Sequence, residues 1–183
     1  RPDTIVLGMG LATLRAAKGN VCLETGNVQG LILAGLLFDA GEIKSDNLLV
    51  IGNEGQKSED NGKNIYLSDL FFHVGGTDTD TPVSVKCCAT INSNHVVGDN
   101  FWVWRADHGD NVAWEKNEAE NGIIINGDDV TMYALMVEHF EQYQTVWNGD
   151  HGKVYMYQSE IPYDVPNQEV WMSHEGQKNG YAS

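Results

Sequence analysis

The sequence predicts an all-β fold, a right-handed parallel β-helix, and three observations carry that prediction. Helical periodicity is scarce along the 183 residues: only "GLATLRAAKGN" (10–20) offers a short helical turn, and Gly10 and Gly19 bracket it closely. Almost everything else reads as short apolar runs broken by Gly, Asn and Asp. Finally, one unit recurs, three apolar residues followed by a polar one: "LLFDAG" from Leu36, "LFFHVG" from Leu70, "WVWRAD" from Trp102, "LMVEHF" from Leu135 and "YMYQSE" from Tyr155, at steps of 34, 32, 33 and 20 residues. Units of this length that recur without helical pattern describe strands stacking as a solenoid.

The strands follow in chain order. "TIVLG" (4–8), "LILAGLLFDA" (31–40), "NLLVIG" (47–52), "IYLSDLFFHVG" (65–75) and "VSVKCCATI" (83–91) come first. "HVVGDNFWVWRA" (95–106), "NGIIING" (121–127), "VTMYALMVEHF" (130–140) and "GKVYMYQSEI" (152–161) complete the set. Three of the four prolines (Pro82, Pro162, Pro166) fall at strand ends or in loops, where a missing N–H costs nothing. Stacking the recurrent units puts Phe38, Phe72, Trp104, Val137 and Tyr157 in one column. Asp39, His73, Arg105, Glu138 and Gln158 form the next, and Ala40, Val74, Ala106, His139 and Ser159 the third. Side chains alternate faces, so the polar column opposes the other two, and Trp102 and Trp104 are expected to pack with the core. The same register leaves Leu37, Phe71, Val103, Met136 and Met156 on the polar side, which demands a loop or a partner to cover them, or else a register shifted by one residue.

Composition bounds the function. The chain has the length of one ordinary domain, 1–183, and 42% apolar residues, enough to bury a core. A formal net charge of −15 argues against nucleic acid and against anionic membrane surfaces, and no apolar run is long enough to span a bilayer. It suits neutral substrates such as sugars, or simply a solvated surface. Cys22, Cys87 and Cys88 are an odd count without a CxxC and read as buried small hydrophobes. No HxH or HExxH spacing supports a metal, no motif supports Ca²⁺, and no cofactor is expected. The opening "RPDTIVLGMG", without initiator Met or apolar leader, is that expected of a processed chain or a fragment of a longer solenoid.

Residues 21–172, and above all "FWVWRADHG", "NGDDVT", "VEHFEQYQTVWNG" and "YQSEIPYD", resemble the β-helix region of large secreted microbial proteins known by an attached coagulation-factor-5/8-type domain. They also resemble the α-1,3-glucanases of glycoside hydrolase family 87, within the pectate-lyase-like superfamily. The resemblance implies an extracellular glycoside hydrolase acting on a glucan, with three catalytic aspartates, one preceding an adjacent pair by about one rung. Asp107 with Asp128 and Asp129, 21 and 22 residues on, approximates that spacing.

Glycoside hydrolysis uses two carboxyl groups astride the scissile bond. Asp107 at the end of one rung and Asp128 and Asp129 at the start of the next are the expected catalytic set; "NGDD" reads equally as a turn. Arg105, His108, Glu138 and His139 are expected to bind sugar hydroxyls or to form a ladder of ion pairs. Trp114 and Trp147, in loops, are the expected stacking platforms, and Glu160 and Asp164 lie where a Pro-rich turn would line the cleft. His73 and His95 read as ordinary hydrogen-bonded residues. Two rivals remain. One is a module that binds carbohydrate, or associates through its uncapped ends with itself or with the rest of its precursor. The other is a polysaccharide lyase, ranked last because a lone Arg105 is the only basic residue near these carboxylates.

Overall fold

The computed structural model describes residues 1–56, 62–76 and 80–172. Among them run eleven strands. The odd-numbered ones are β1 (Ile5–Arg15), β3 (Ile32–Asp39), β5 (Ile65–Val74), β7 (Val96–Arg105), β9 (Thr131–Glu138) and β11 (Lys153–Glu160). The even-numbered ones are β2 (Leu23–Thr25), β4 (Ser45–Ile51), β6 (Val85–Ile91), β8 (Ala119–Ile125) and β10 (Tyr143–Trp147). A single turn of 3-10 helix, Gln168–Val170, follows. All nine expected strands are present. The sequence reading missed the short β2 and β10, and took part of β1 for a helical turn: within that segment Ala12–Arg15 is paired strand, entered through left-handed Gly10 and Leu11. The alanines of that segment match the helical template, but its backbone pairs in parallel with Leu36–Asp39, a case of tertiary pairing overriding local propensity.

Odd strands form one six-stranded sheet, A, and even strands a five-stranded sheet, B, every pair parallel. Each circuit of the chain therefore lays one strand on each sheet. Leu36, Phe38, Leu70, Phe72, Phe101, Val103, Leu135 and Val137 from sheet A meet Leu49, Ile51, Ala89, Ile91, Ile123 and Ile125 from sheet B, all essentially buried. Phe38 stacks on Phe72 with ring centres 4.9 Å apart, the like-on-like stacking that in-register parallel strands impose. At the corner leading out of sheet B, asparagines form a second ladder. Asn148 Nδ2 donates to Asn126 Oδ1, and Asn126 Nδ2 to Asn92 Oδ1, both at 2.8 Å.

One device shapes sheet A. Gly35, Asp69, Asn100, Ala134 and Met156 occupy equivalent positions in five successive strands, and all have positive φ, between 52° and 68°. A left-handed residue in mid-strand breaks the two-residue alternation. Leu67 and Leu70 both point inward, as do Met132 and Leu135, three residues apart instead of two. This corrects the expected register. The third and fifth units begin at Phe101 and Tyr157, not Trp102 and Tyr155, so Phe38, Phe72, Val103, Val137 and Ser159 share a column. The outward column is Arg15, Asp39, His73, Trp104, Glu138 and Glu160. Trp102 and Trp104 are accordingly on the outer face of sheet A rather than in the core.

The left-handed column yields a paired test. Gly35 needs φ near +68°, and a Cβ there would sit 3.1 Å from the Gly8 carbonyl oxygen. Gly35→Ala should cost about 1–2 kcal/mol. Ala134→Gly, at the same position three strands away with φ 53°, should leave stability unchanged or raise it. Thermal unfolding of the two variants reads the difference.

Candidate active site at the carboxyl ends of sheet A

The outward column delivers acidic side chains to one place. Glu138 and Glu160 are direct register partners on β9 and β11, with strands roughly 4.8 Å apart. Like charges directly opposite are unfavourable in a sheet, so this pair marks a site rather than a stabilising ladder. Each carboxylate is oriented by a donor. Trp102 Nε1 donates to Glu138 Oε2 at 3.0 Å. Gln158 Nε2 donates to Glu160 Oε1 at 2.8 Å, and the Tyr163 hydroxyl donates to Glu160 Oε2.

Asp107 joins them from the loop after β7. Its Oδ1 lies 2.8 Å from His108 Nδ1. Desolvation works to raise this carboxyl, but the His108 hydrogen bond, its own backbone N–H and the nearby charges of His139 and His108 outweigh it and hold the pKa below the usual aspartate range. His139 stands between Asp107 and Glu160. It has φ 69°, is 3% exposed, and its Nδ1 lies 3.0 Å from the Ile161 carbonyl oxygen. A carbonyl only accepts, so Nδ1 carries the proton and Nε2 faces the acids. Asp107 Oδ1 and Glu160 Oε2 are each 3.9 Å from that Nε2. The two oxygens are therefore no more than twice that distance apart.

Aromatic rings floor the site. Trp102 and Trp104 stack with centres 5.2 Å apart, His73 meets both edge-on, and His108 lies 5.3 Å from Trp104. Next along the column, Asp39 is 3.7 Å from His73 and 3.5 Å from Arg15. Burial raises the Asp39 carboxyl, against the pull of His73 and Arg15, and lowers the His73 imidazole, against the pull of Asp39.

Of the residues singled out in the sequence, Asp107, His108, Glu138, His139 and Glu160 are brought together here. Asp128 and Asp129 are not. They form the turn into β9, at the opposite end of the strands from Asp107. Asp128 N–H donates to Asn94 Oδ1 at 2.8 Å, Asp150 N–H donates to Asp128 Oδ1 at 2.9 Å, and Asp129 has φ 55°. The eight residues of β9 intervene, on the order of 20 Å at about 3.3 Å each. The expected grouping of Asp107 with this pair is thus corrected, because sequence spacing does not say at which end of a strand a turn falls. Trp147 also lies at that far end, beside Gly152 and Val154.

Arg105 is not a sugar ligand either, since it is fully buried, and the half-buried Trp114 packs with its ring over that guanidinium at 5.7 Å. Tyr163 and Trp102 were missed. Strict alternation put Trp102 in the core, and the only signal for Tyr163 was its place in the Pro-containing turn after Glu160. A groove of about 690 Å³ on the outer side of sheet B, between Glu24, Asn47, Glu54, Thr90 and Asn126, has no histidine or aromatic ring in its lining and so lacks a stacking platform for a sugar ring.

Residues 1–160 match the model of the LAM55 pectate lyase-like domain. The chain belongs to that family. Over all 183 residues this LAM55 domain is 39% identical to an exo-β-1,3-glucanase of Streptomyces sp. SirexAA-E and covers 29% of that protein. It is also similar to two solved structures of sacteLam55A from the same organism, with TM-scores of 0.93 and 0.92 at 38% and 39% identity. One of them is a glutamate-to-alanine variant in complex with glucose. The chain spans about a third of the length of these relatives. The pectate-lyase-like placement stands. The α-1,3 linkage implied by the family 87 resemblance is corrected, since the relative is named for β-1,3-glucan.

Glu141, behind the site of this LAM55 domain, gives a pH-dependent signature. Burial pushes its carboxyl from an ordinary 4.5 up to about 7, against the opposing pull of Arg105 and the Ala119 N–H, with Glu118 and Asp164 adding to the rise. A carboxyl raised in the folded state favours folding fully below pH 4.5 and loses that contribution as pH climbs to 7. Unfolding free energy should fall by up to about 3 kcal/mol between pH 4.5 and 7.5 from this group alone. Glu141→Gln should flatten the curve over that window, as read by denaturant titration at several pH values.

Proposed function

We propose that this chain is the acid–base half of a glycoside hydrolase active on β-1,3-linked glucan, with Glu160 as general acid and Asp107 as general base. The observation that carries the reading is the convergence of Asp107 and Glu160 on His139 Nε2, each at 3.9 Å. Two oxygens that close to one nitrogen can both reach a single glycosidic bond, and an inverting pair with a water between them is the arrangement proposed. Asp107, held ionised by His108, takes the proton of the attacking water. Glu160, placed by Tyr163 and Gln158, gives a proton to the departing glycosidic oxygen. Glu138, fixed by the Trp102 N–H, supplies negative charge toward the developing oxocarbenium ion. The Trp102–Trp104 stack and His108 form the wall against which a sugar ring packs. Support for the substrate comes from the relatives, one named an exo-β-1,3-glucanase and one solved with glucose bound.

The scaffold reading accompanies it. Alternation of strands between two parallel sheets, with the strong preference of parallel crossovers for one hand, supports a right-handed parallel β-helix. Ile5, Leu7 and Met9 on β1 and Val154, Tyr155 and Met156 on β11 are exposed, which supports association through the ends of the coil. A polysaccharide substrate suits an extracellular protein.

The test is hydrolysis of laminarin, a β-1,3-glucan, by the complete gene product, with the product anomer followed by NMR. Glu160→Gln and Asp107→Asn should each lose about 10²–10⁴-fold in kcat, with inversion at the anomeric carbon in the parent. Asp129→Asn should retain activity. Undiminished hydrolysis by Glu160→Gln, or glucan binding without hydrolysis in the parent, contradicts the assignment.

A further inference from the structure

Behind the acids lies a second cluster that the proposed chemistry does not use. The Arg105 guanidinium, fully buried, ties together four stretches of chain. Its Nε donates to the Asn117 carbonyl oxygen at 2.9 Å, and Nη2 donates to the Ala113 carbonyl oxygen at 3.3 Å. Nη1 donates both to the His139 carbonyl oxygen at 3.3 Å and to Asp164 Oδ1 at 3.0 Å, while Nη2 also donates to Asp164 Oδ2 at 2.9 Å. Glu141 Oε1 stands 3.4 Å from the same Nη2.

One nitrogen thus grips the two segments that carry the reacting groups. His139 is gripped by its carbonyl, and its N–H donates to the Glu160 carbonyl oxygen at 2.8 Å. Asp164 follows Tyr163, whose hydroxyl donates to Glu160 and whose ring packs 4.6 Å from the His139 imidazole. A planar bidentate pair fixes orientation as well as distance, and it adds to the single hydrogen bond that His139 Nδ1 makes to the Ile161 carbonyl oxygen of the same turn. A solvent-exposed turn closed by prolines on either side would otherwise leave Tyr163 free to rotate away from the carboxylate.

We propose that Asp164, through its bidentate pair with Arg105, is the positioning residue that sets Tyr163, and through it Glu160, against Asp107 and His139. The inference rests on Glu160 being the reacting acid, and adds what holds it in register. Asp164 touches no substrate in this account. Its effect is on kcat, because a misplaced acid binds sugar normally and transfers its proton poorly.

The experiment is a double-mutant cycle in the complete gene product, with kcat and KM on laminarin and hydrogen exchange read together. Asp164→Asn keeps the shape and removes one charge. It should lower kcat at least tenfold with KM within about twofold. Tyr163→Phe should do likewise, and the double variant should be no worse than either single, because both act through one contact. Additive losses, an unchanged kcat in folded Asp164→Asn, or a rise in KM alone overturn the proposal. If the parent does not hydrolyse glucan, the catalytic reading fails by itself and exchange decides the clamp. In Asp164→Asn, the amides of Glu160, Ile161, Tyr163 and Asp164 should exchange at least tenfold faster while β7 and β9 keep their protection. Unchanged protection of 160–164, or uniform loss throughout, overturns it.

Discussion

Parallel pairing in register is the constraint on which everything else depends. Because each strand of sheet A lies beside its equivalent one circuit away, a side chain's neighbours are fixed by its position in the unit rather than by its own chemistry. Phenylalanines stack on phenylalanines inside, asparagines bond to asparagines at the corner, and outside a glutamate is set against a glutamate. The first two arrangements are favourable by dispersion and amide hydrogen bonding. The last is electrostatically costly and is tolerated because Trp102, Gln158 and Tyr163 each lend a donor. Local rules broken where others are kept are a mark of function.

The left-handed residue in mid-strand turns this scaffold into a site. By skipping one step of the alternation, it lets one strand present two inward segments in different phase. It also moves the outward column to Arg15, Asp39, His73, Trp104, Glu138 and Glu160. The chain then leaves sheet A at its carboxyl end through loops that bring Asp107, His108, His139 and Tyr163 around the same point. Beneath them, a buried guanidinium with two carboxylates within reach supplies a rigid base, and burial shifts the Glu141 carboxyl toward its neutral form.

Much of this was legible in the residues, and the failures have physical causes. Apolar runs between Gly and Asn located nine strands, and their recurrence announced parallel stacking. Asp107, His108, Glu138, His139 and Glu160 were singled out because acids and imidazoles at strand ends read as exposed chemistry. What failed was phase. Nothing in "DNFW" or "YALM" shows that Asn100 or Ala134 takes positive φ, since alanine there pays a strain that only the neighbouring strands can enforce. The one-residue error exchanged Arg105 for Trp104 in the outward column and sent the tryptophans inward. The role of Arg105 was hidden for a related reason: its partner Asp164 is 59 residues away and no local pattern links them. Asp128 and Asp129 misled because acidic turn residues and catalytic acids share a composition.

The acids of the site gather at the carboxyl ends of sheet A and not at the turns that feed it. The most direct measurement is NMR titration of the isotope-labelled protein with laminaritriose, a short β-1,3-linked oligosaccharide, following backbone amides and histidine rings. Saturable shifts confined to Trp102, Trp104, Asp107, His108, Glu138, His139, Glu160 and Tyr163, with Asp128, Asp129 and the sheet B groove unmoved, are the predicted result. Shifts centred on Asp128, Asp129 and Trp147, with the Glu138–Glu160 pair silent, would contradict it.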